Sequence, residues 1–198
     1  MTSDQRRAAI VQAAVQLFSQ NGFRGTTTKQ LAHAVGVSEP VLYMHFATKR
    51  ELYNAIIGSL TLGADGLKSA ILPCPADSDD RCFFRRLADL MLGWHMEDPA
   101  RIRILLFSAL EGHELSDIFY QKQIVPFNEA FTSYIKSRID EGAFRDINPL
   151  QAARAFCGMV GQYAQSMVIF GLIETAEQQA AALDGIVDLF LNGVRKNA

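Results

Sequence analysis

Residues 26–55 constrain the fold most, because they carry start and stop signals for two short helices around a tight turn. Thr27, followed three places later by a glutamine, fits a capping box and predicts a helix start. Gly36 lies where a left-handed residue ends a helix at little cost. Ser38 as N-cap and Pro40 in the first turn favour a second helix. The pattern predicts a helix-turn-helix, a motif that places its second helix in the major groove of DNA.

A further amphipathic helix precedes this pair. Apolar residues from Ile10 to Phe18 recur at the three/four spacing of a helix, and Asn21 with Gly22 predicts its end. We therefore expect residues 1–47 to form a three-helix DNA-binding domain. The residues alone leave open an ordinary three-helix core in which the turn spacing arises by chance.

The charge distribution favours the same end of the chain. The net charge is −2, which argues against a generally basic nucleic-acid binder. Residues 1–53, however, hold six Arg and Lys residues against three Asp and Glu residues, so they carry +3 and the remainder carries −5. A basic N-terminal segment, residues 1–53, here called the head, attracts phosphates to one end of an otherwise acidic chain. Small counts of charged residues also produce such asymmetry by chance.

The motif residues resemble the N-terminal signature of the tetracycline-repressor (TetR) family of bacterial regulators. The matching residues are Gly22-Phe23, Thr27, Leu31-Ala32, Ala34-Val35-Gly36-Val37-Ser38, Leu42-Tyr43, His45-Phe46 and Lys49-Arg50-Glu51-Leu52. They lie within about a quarter of the chain, and the remainder resembles the family only in length and helical pattern. The resemblance implies a homodimeric, ligand-responsive transcriptional regulator. Such a protein is most often a repressor that binds a palindromic operator and is released by a small effector.

The resemblance also implies DNA-contacting positions. They are Thr28, Lys29, Glu39, Pro40, Val41, Tyr43, His45 and Lys49. Thr28, Tyr43, His45 and Lys49 are expected at phosphates, and Lys29 is expected at a base. Val41 or Pro40 could pack on a thymine methyl group. Glu39 could accept a hydrogen bond from a cytosine amine, or could instead cap its own helix.

The rest of the chain predicts only helices, at about 49–71, 80–96, 100–120, 121–141, 149–172 and 176–194. The expected fold is all-α: an N-terminal helix-turn-helix domain, then residues 48–198 as a helical ligand-binding and dimerisation domain. Small residues recur every third position from Ala152 to Ala164, which permits close helix packing. The resemblance implies that the last two helices pair across a twofold axis. The alternative is a helix pair inside one chain.

The resemblance places an effector site in the middle helices, where aromatic and polar residues mix. The predicted ligand-binding residues are Trp94, His95, Phe107, Glu111, Phe127, Tyr163 and Met167. Their apolar character favours an uncharged or hydrophobic effector. Aromatic residues at helical spacing also line ordinary cores, so each of these residues has that alternative.

The sequence argues against an enzyme. It has no Gly-rich phosphate loop, metal-ligand cluster or nucleophile elbow, so we expect no catalytic residue, metal or cofactor. Cys74, Cys82 and Cys157 are an odd number without a signal peptide, which favours reduced thiols in the cytoplasm and leaves a redox role open. No stretch is long and apolar enough for a membrane span. A helical dimer that acts only as a protein-interaction module is the alternative function.

Overall fold

The computed structural model describes residues 2–60 and 79–195, and it confirms the predicted all-α fold. The helices are α1 Ser3–Asn21, α2 Thr28–Val35, α3 Glu39–His45, α4 Lys49–Leu60, α5 Asp80–Glu97, α6 Pro99–Leu110, α7 Glu114–Phe119, α8 Val125–Asp140, α9 Pro149–Val168 and α10 Ala176–Val194. A π-helical turn, Tyr120–Ile124, precedes α8. Within the described residues, the only β-type backbone pairing is one isolated antiparallel bridge between Phe144 and Arg195.

Several helix ends follow the local signals in the sequence. The Thr27 side chain accepts from the Gln30 amide and the Gln30 side chain accepts from the Thr27 amide, so the predicted capping box is present. Gly36 has φ 71° and ψ 35°, the left-handed conformation expected after α2. Asn148 caps α9 by accepting from the Gln151 amide. Ser38 is the N-cap residue of α3, but its side chain makes no capping hydrogen bond.

The predicted single helix over 100–120 is wrong. Helix α6 ends at Leu110, and Gly112 adopts φ 64°, which a continuous helix does not permit. A new helix, α7, begins after His113, whose ring nitrogen Nδ1 accepts from the Leu115 amide. The predicted helix from residue 49 is described as far as Leu60, and its expected continuation to residue 71 lies outside the described residues, as does Cys74.

The described residues fall into two compact units. The first combines residues 2–60 with 98–123, and the second combines 79–97 with 124–195. In the first unit, α1 packs against α2, α4 and α6, and α4 packs against α7. The first three helices thus share a unit with α4, α6 and α7. The predicted functional boundary between residues 47 and 48 stays a prediction.

The second unit has an aromatic core. The Phe84 ring is fully buried and lies 4.8–5.6 Å, centroid to centroid, from the rings of Phe131, Phe156 and Phe190. These four rings come from α5, α8, α9 and α10, so each helix among the described residues of the unit contributes one. Edge and tilted ring contacts of this kind add to the gain from burial.

Candidate nucleic-acid interface

The helix-turn-helix is built around one buried face. Leu31 and Ala32 of α2, Leu42 of α3 and the adjacent Phe46 are all at most 2% exposed. Burying these side chains fixes which side of α3 faces solvent. On that solvent side, Met44 is 83% exposed and is the most exposed apolar side chain of α3.

The predicted base-facing residues lie at the first turn of α3. Pro40 is exposed and Val41 is half-buried, so both remain available to a base edge. The Glu39 carboxylate accepts a hydrogen bond of 2.9 Å from the Thr28 hydroxyl at the start of α2. A hydroxyl has one proton to donate, so this bond uses the donor that Thr28 would offer a phosphate. It ties the start of α2 to the start of α3.

The predicted phosphate contacts lie around the α3–α4 turn. Tyr43 is 42% exposed, and His45 ends α3. Lys49 and Arg50 open α4, where cations oppose the positive end of the helix dipole at a cost of about 0.3–1 kcal/mol each. A bound anion would relieve this cost, because the free amides at a helix start also attract it. Lys49, which is exposed, therefore favours a phosphate at this helix end, whereas Arg50 pairs with Glu114.

A cleft joins two of these predicted positions. Thr28 and Lys49 both line a cavity of about 490 Å³ in the first unit, whose apolar wall includes Phe23, Leu52 and Tyr53. Lys29 is exposed on the first turn of α2. The structure thus brings the start of α2 and the start of α4 to one cleft.

Two acidic side chains reduce the positive charge of the head. Arg50 pairs with Glu114 at 3.1 Å, and Arg7 pairs with Glu51 at 2.9 Å. Two of the six cations counted in residues 1–53 are therefore neutralised locally. The sequence count of +3 does not reveal which cations are left for phosphates.

The loop before α2 is held by the turn that follows α6. One carboxylate oxygen of Glu111 accepts from the backbone amides of Phe23 and Arg24, at 3.0 and 2.9 Å. The His113 ring stacks on Phe23 at 3.8 Å between centroids and meets Tyr53 edge-on at 4.5 Å. Burial lowers the pKa of His113, an effect that Glu114 and Glu111 oppose.

The predicted ligand residues do not all lie in one unit. Phe107 and Glu111 belong to the first, and Glu111 has the structural role just described. The others, in the second unit, are Trp94, His95, Phe127, Tyr163 and Met167. Met167 is buried in the aromatic core, with Phe127 and Tyr163 packed against it.

Polar groups among these ligand candidates have local partners. The His95 ring nitrogen Nδ1 bonds the Met91 carbonyl at 2.7 Å, and burial lowers the pKa of His95. The Tyr163 hydroxyl donates to Glu174, and burial with this bond raises its pKa. The effector site itself stays a prediction.

Sequence reasoning missed three structural features of the head. Met44 is not among the DNA-contacting positions that the resemblance implies, although its 83% exposure on α3 makes it a candidate for contact with bases. The Arg7–Glu51 pair joins residues 44 positions apart, and Glu111 reaches a loop 87 to 88 positions away. No local sequence pattern predicts either contact.

The described residues contain no cluster of three potential metal-ligating side chains. None of their helices is long and apolar enough to cross a membrane. The two described cysteines, Cys82 and Cys157, form no disulfide, and burial raises the pKa of Cys157 to about 12.

Comparison with known proteins covers both parts of the chain. Residues 10–56 match the bacterial regulatory proteins of the tetR family, and residues 83–193 match the C-terminal domain of AefR-like transcriptional repressors. The nucleoid occlusion factor SlmA of Marinobacter nauticus is 31% identical over 71% of this chain and 69% of its own length. SlmA of an Enterobacter species is also 31% identical, over 81% of this chain and 84% of its own.

The fold agrees with these matches. A TetR family transcriptional regulator from Pseudomonas syringae pv. tomato superposes with a TM-score of 0.72 at 21% identity, with complete coverage of both chains. Proteins of this family are transcription regulators, so the prediction that the chain is not an enzyme is confirmed. The local helix signals, the exposed face of α3 and the match over both regions lead to one conclusion: this chain belongs to the TetR family of bacterial transcriptional regulators.

Proposed function

We propose that the protein is a homodimeric repressor that binds a palindromic operator through α3 and is released by a small effector. The observation that carries the DNA-binding part is the arrangement around α3. Its buried side is fixed by Leu42, its solvent side carries Tyr43 and Met44, and Lys49 opens the adjacent α4.

A dimer is supported by a solvent-exposed stripe on the last two helices. Ala155 and Gly158 of α9 and Ala181 and Gly185 of α10 are exposed small residues, and Leu189 of α10 is 71% exposed. The other large apolar residues of α10, among them Leu183, Val187 and Phe190, are mostly buried within the second unit. Small residues allow close helix packing, and two copies would present two recognition helices to half-sites about 34–36 Å apart.

The effector is supported by the aromatic character of the second unit. An uncharged or hydrophobic molecule would suit residues such as Phe127 and Trp94. Linkage then requires that the effector binds the DNA-free protein more tightly than the DNA-bound protein.

A second candidate function comes from the relatives. SlmA proteins are named as nucleoid occlusion factors, and two of them share 31% identity with this chain over most of its length. A DNA-binding protein with this role would occupy many chromosomal sites rather than one promoter. Genome-wide mapping of bound sites separates the candidates, because a repressor of the proposed kind occupies few sites, each next to a gene.

The DNA-binding proposal is tested by selecting bound fragments from a random DNA library at fixed salt. We expect the native protein to enrich a palindrome and Tyr43→Ala to enrich none. Tyr120→Ala is the matched control, because Tyr120 is 44% exposed and belongs to the π-helical turn, outside the helix-turn-helix. Lack of enrichment by a folded native dimer at low salt would favour the protein-interaction module instead.

The phosphate role of Lys49 is tested by the salt dependence of operator binding. Lys49→Ala should weaken binding to all sequences and flatten the plot of log affinity against log salt by about one unit of slope. Lys136→Ala, on α8 of the second unit, removes an equal charge and should leave the slope unchanged. A slope that Lys49→Ala does not change would remove Lys49 from the interface.

A further inference from the structure

Arg7 of α1 makes three contacts with the segment that joins α3 to α4. Its guanidinium donates to the backbone carbonyl of His45 and to a carboxylate oxygen of Glu51, the latter at 2.9 Å. The same group lies 4.1 Å from the centre of the Phe46 ring. One side chain thus contacts the end of α3, the residue after it and the first turn of α4.

Glu51 extends this network to the backbone of the turn. Its second carboxylate oxygen accepts a 3.0 Å hydrogen bond from the Ala47 amide. Thr48 completes the start of α4, because its hydroxyl accepts from the Glu51 amide at 3.1 Å. The Arg7–Glu51 pair therefore holds a carbonyl before the turn and an amide within it.

This turn lies between the residues proposed to bind phosphates. Tyr43 and His45 precede it, and Lys49 follows it. Helix α3 has only seven residues, so its own hydrogen bonds do not fix its direction, and packing must do so. Hydrogen bonds to phosphate weaken steeply with distance and angle, so a small shift of the turn is enough to lose them.

We propose that Arg7 and Glu51 are positioning residues for DNA binding, which set the α3–α4 turn without contacting DNA themselves. This proposal rests on the proposed DNA-binding function. It reverses the simplest interpretation of Arg7, which as a cation of the basic head would be expected at a phosphate. Half-exposed ion pairs contribute little by charge alone, so the effect comes from the geometry of the two backbone contacts.

The two roles differ in the salt dependence of binding. A phosphate contact releases counterions, and its loss reduces the salt slope by about one unit. A positioning residue lowers affinity at every salt concentration and leaves the slope nearly unchanged. Lys49→Ala supplies the reference for a lost phosphate contact.

The test measures operator affinity between low and physiological salt for Arg7→Met, Glu51→Gln and the double variant, each as a folded dimer. Methionine keeps an apolar stem over Phe46 and removes the donors and the charge. We expect Arg7→Met to weaken binding roughly tenfold or more with an unchanged slope. Glu51→Gln should weaken it less, because its amide oxygen still accepts from Ala47. The double variant should bind no worse than Arg7→Met, because both changes break one network.

Matched variants keep the outcomes distinct. Arg6→Met removes an equal charge from the neighbouring position of α1 and should have a smaller effect than Arg7→Met. Arg7→Lys keeps the charge but lacks the planar fork, so it should restore binding only in part. Three results would each overturn the proposal. Arg7→Met could reduce the salt slope by about one unit, or it could bind the operator with the affinity of the native protein. The third is that the effects of Arg7→Met and Glu51→Gln add in the double variant. If Arg7→Met does not fold, Glu51→Gln alone decides by the same slope and affinity criteria. Failure of the native protein to bind DNA would instead overturn the proposed function.

Discussion

Gly22→Ala should destabilise the protein by about 2–6 kcal/mol, through two separable effects. Gly22 follows α1 with φ 70° and ψ 179°, a region of backbone conformation that is almost restricted to glycine. Forcing alanine into it costs about 1–3 kcal/mol. A Cβ atom there would also lie 2.2 Å from an oxygen of Glu111 and 3.2 Å from the Phe107 ring.

The second effect is displacement of Glu111. Its carboxylate holds the amides of Phe23 and Arg24, of which the first is partly buried and the second is exposed. Water can replace the carboxylate at the exposed amide. The partly buried amide loses its acceptor, at a cost of about 1–3 kcal/mol. These terms together give the predicted total.

The assay is urea denaturation at fixed protein concentration, because the stability of the proposed dimer depends on concentration. Gly22→Ala, Glu111→Ala and the double variant complete a cycle with the native protein. Glu111→Ala removes the clash, so adding Gly22→Ala to it should cost only the conformational term of about 1–3 kcal/mol. The double variant should then be about as stable as Gly22→Ala alone. Equal cost in both backgrounds, or a loss below about 1 kcal/mol in Gly22→Ala, would refute the reasoning.

Three further predictions concern buried or partly buried groups. Asp80→Ala should lower the free energy of unfolding by about 1.5–3 kcal/mol in urea denaturation, because Arg138 and the Tyr134 hydroxyl lose their 2.7 and 2.8 Å partner. A loss below about 1 kcal/mol, as for an exposed pair, would contradict this. Burial raises the pKa of Cys157 to about 12, so little of the reactive thiolate is present at pH 8. Mass spectrometry after alkylation at pH 8 should find Cys157 unmodified in the native protein and modified in urea. Equal labelling in both states would contradict this. Burial lowers the pKa of His113, so the unfolded state binds a proton at this ring at a higher pH than the folded state does. The free energy of unfolding should therefore fall as the pH drops below about 6.5. His113→Asn, which keeps a capping acceptor, should reduce this fall in denaturation series at pH 7 and 5, and an unchanged fall would exclude the role of His113.

Much of the helix-turn-helix is determined by the sequence by itself. The capping box at Thr27 and the left-handed Gly36 are both present as predicted. These features depend on residues within four positions of one another, so the signal and the structure it specifies lie in the same short segment. The family resemblance depends on the same local residues, so it can be recognised from the sequence without a structure.

The roles of single charged residues were decided only by the tertiary structure. From sequence, Arg7 was one more cation in a basic head, and Glu111 was a ligand candidate. In the structure, Arg7 meets Glu51 44 positions away and Glu111 meets the amides of Phe23 and Arg24. Which acceptor a charged side chain finds depends on how α1, α4 and α6 pack. That packing follows from the burial of apolar faces along whole helices. The residues next to a charged side chain in the sequence therefore do not indicate which distant acceptor it will meet.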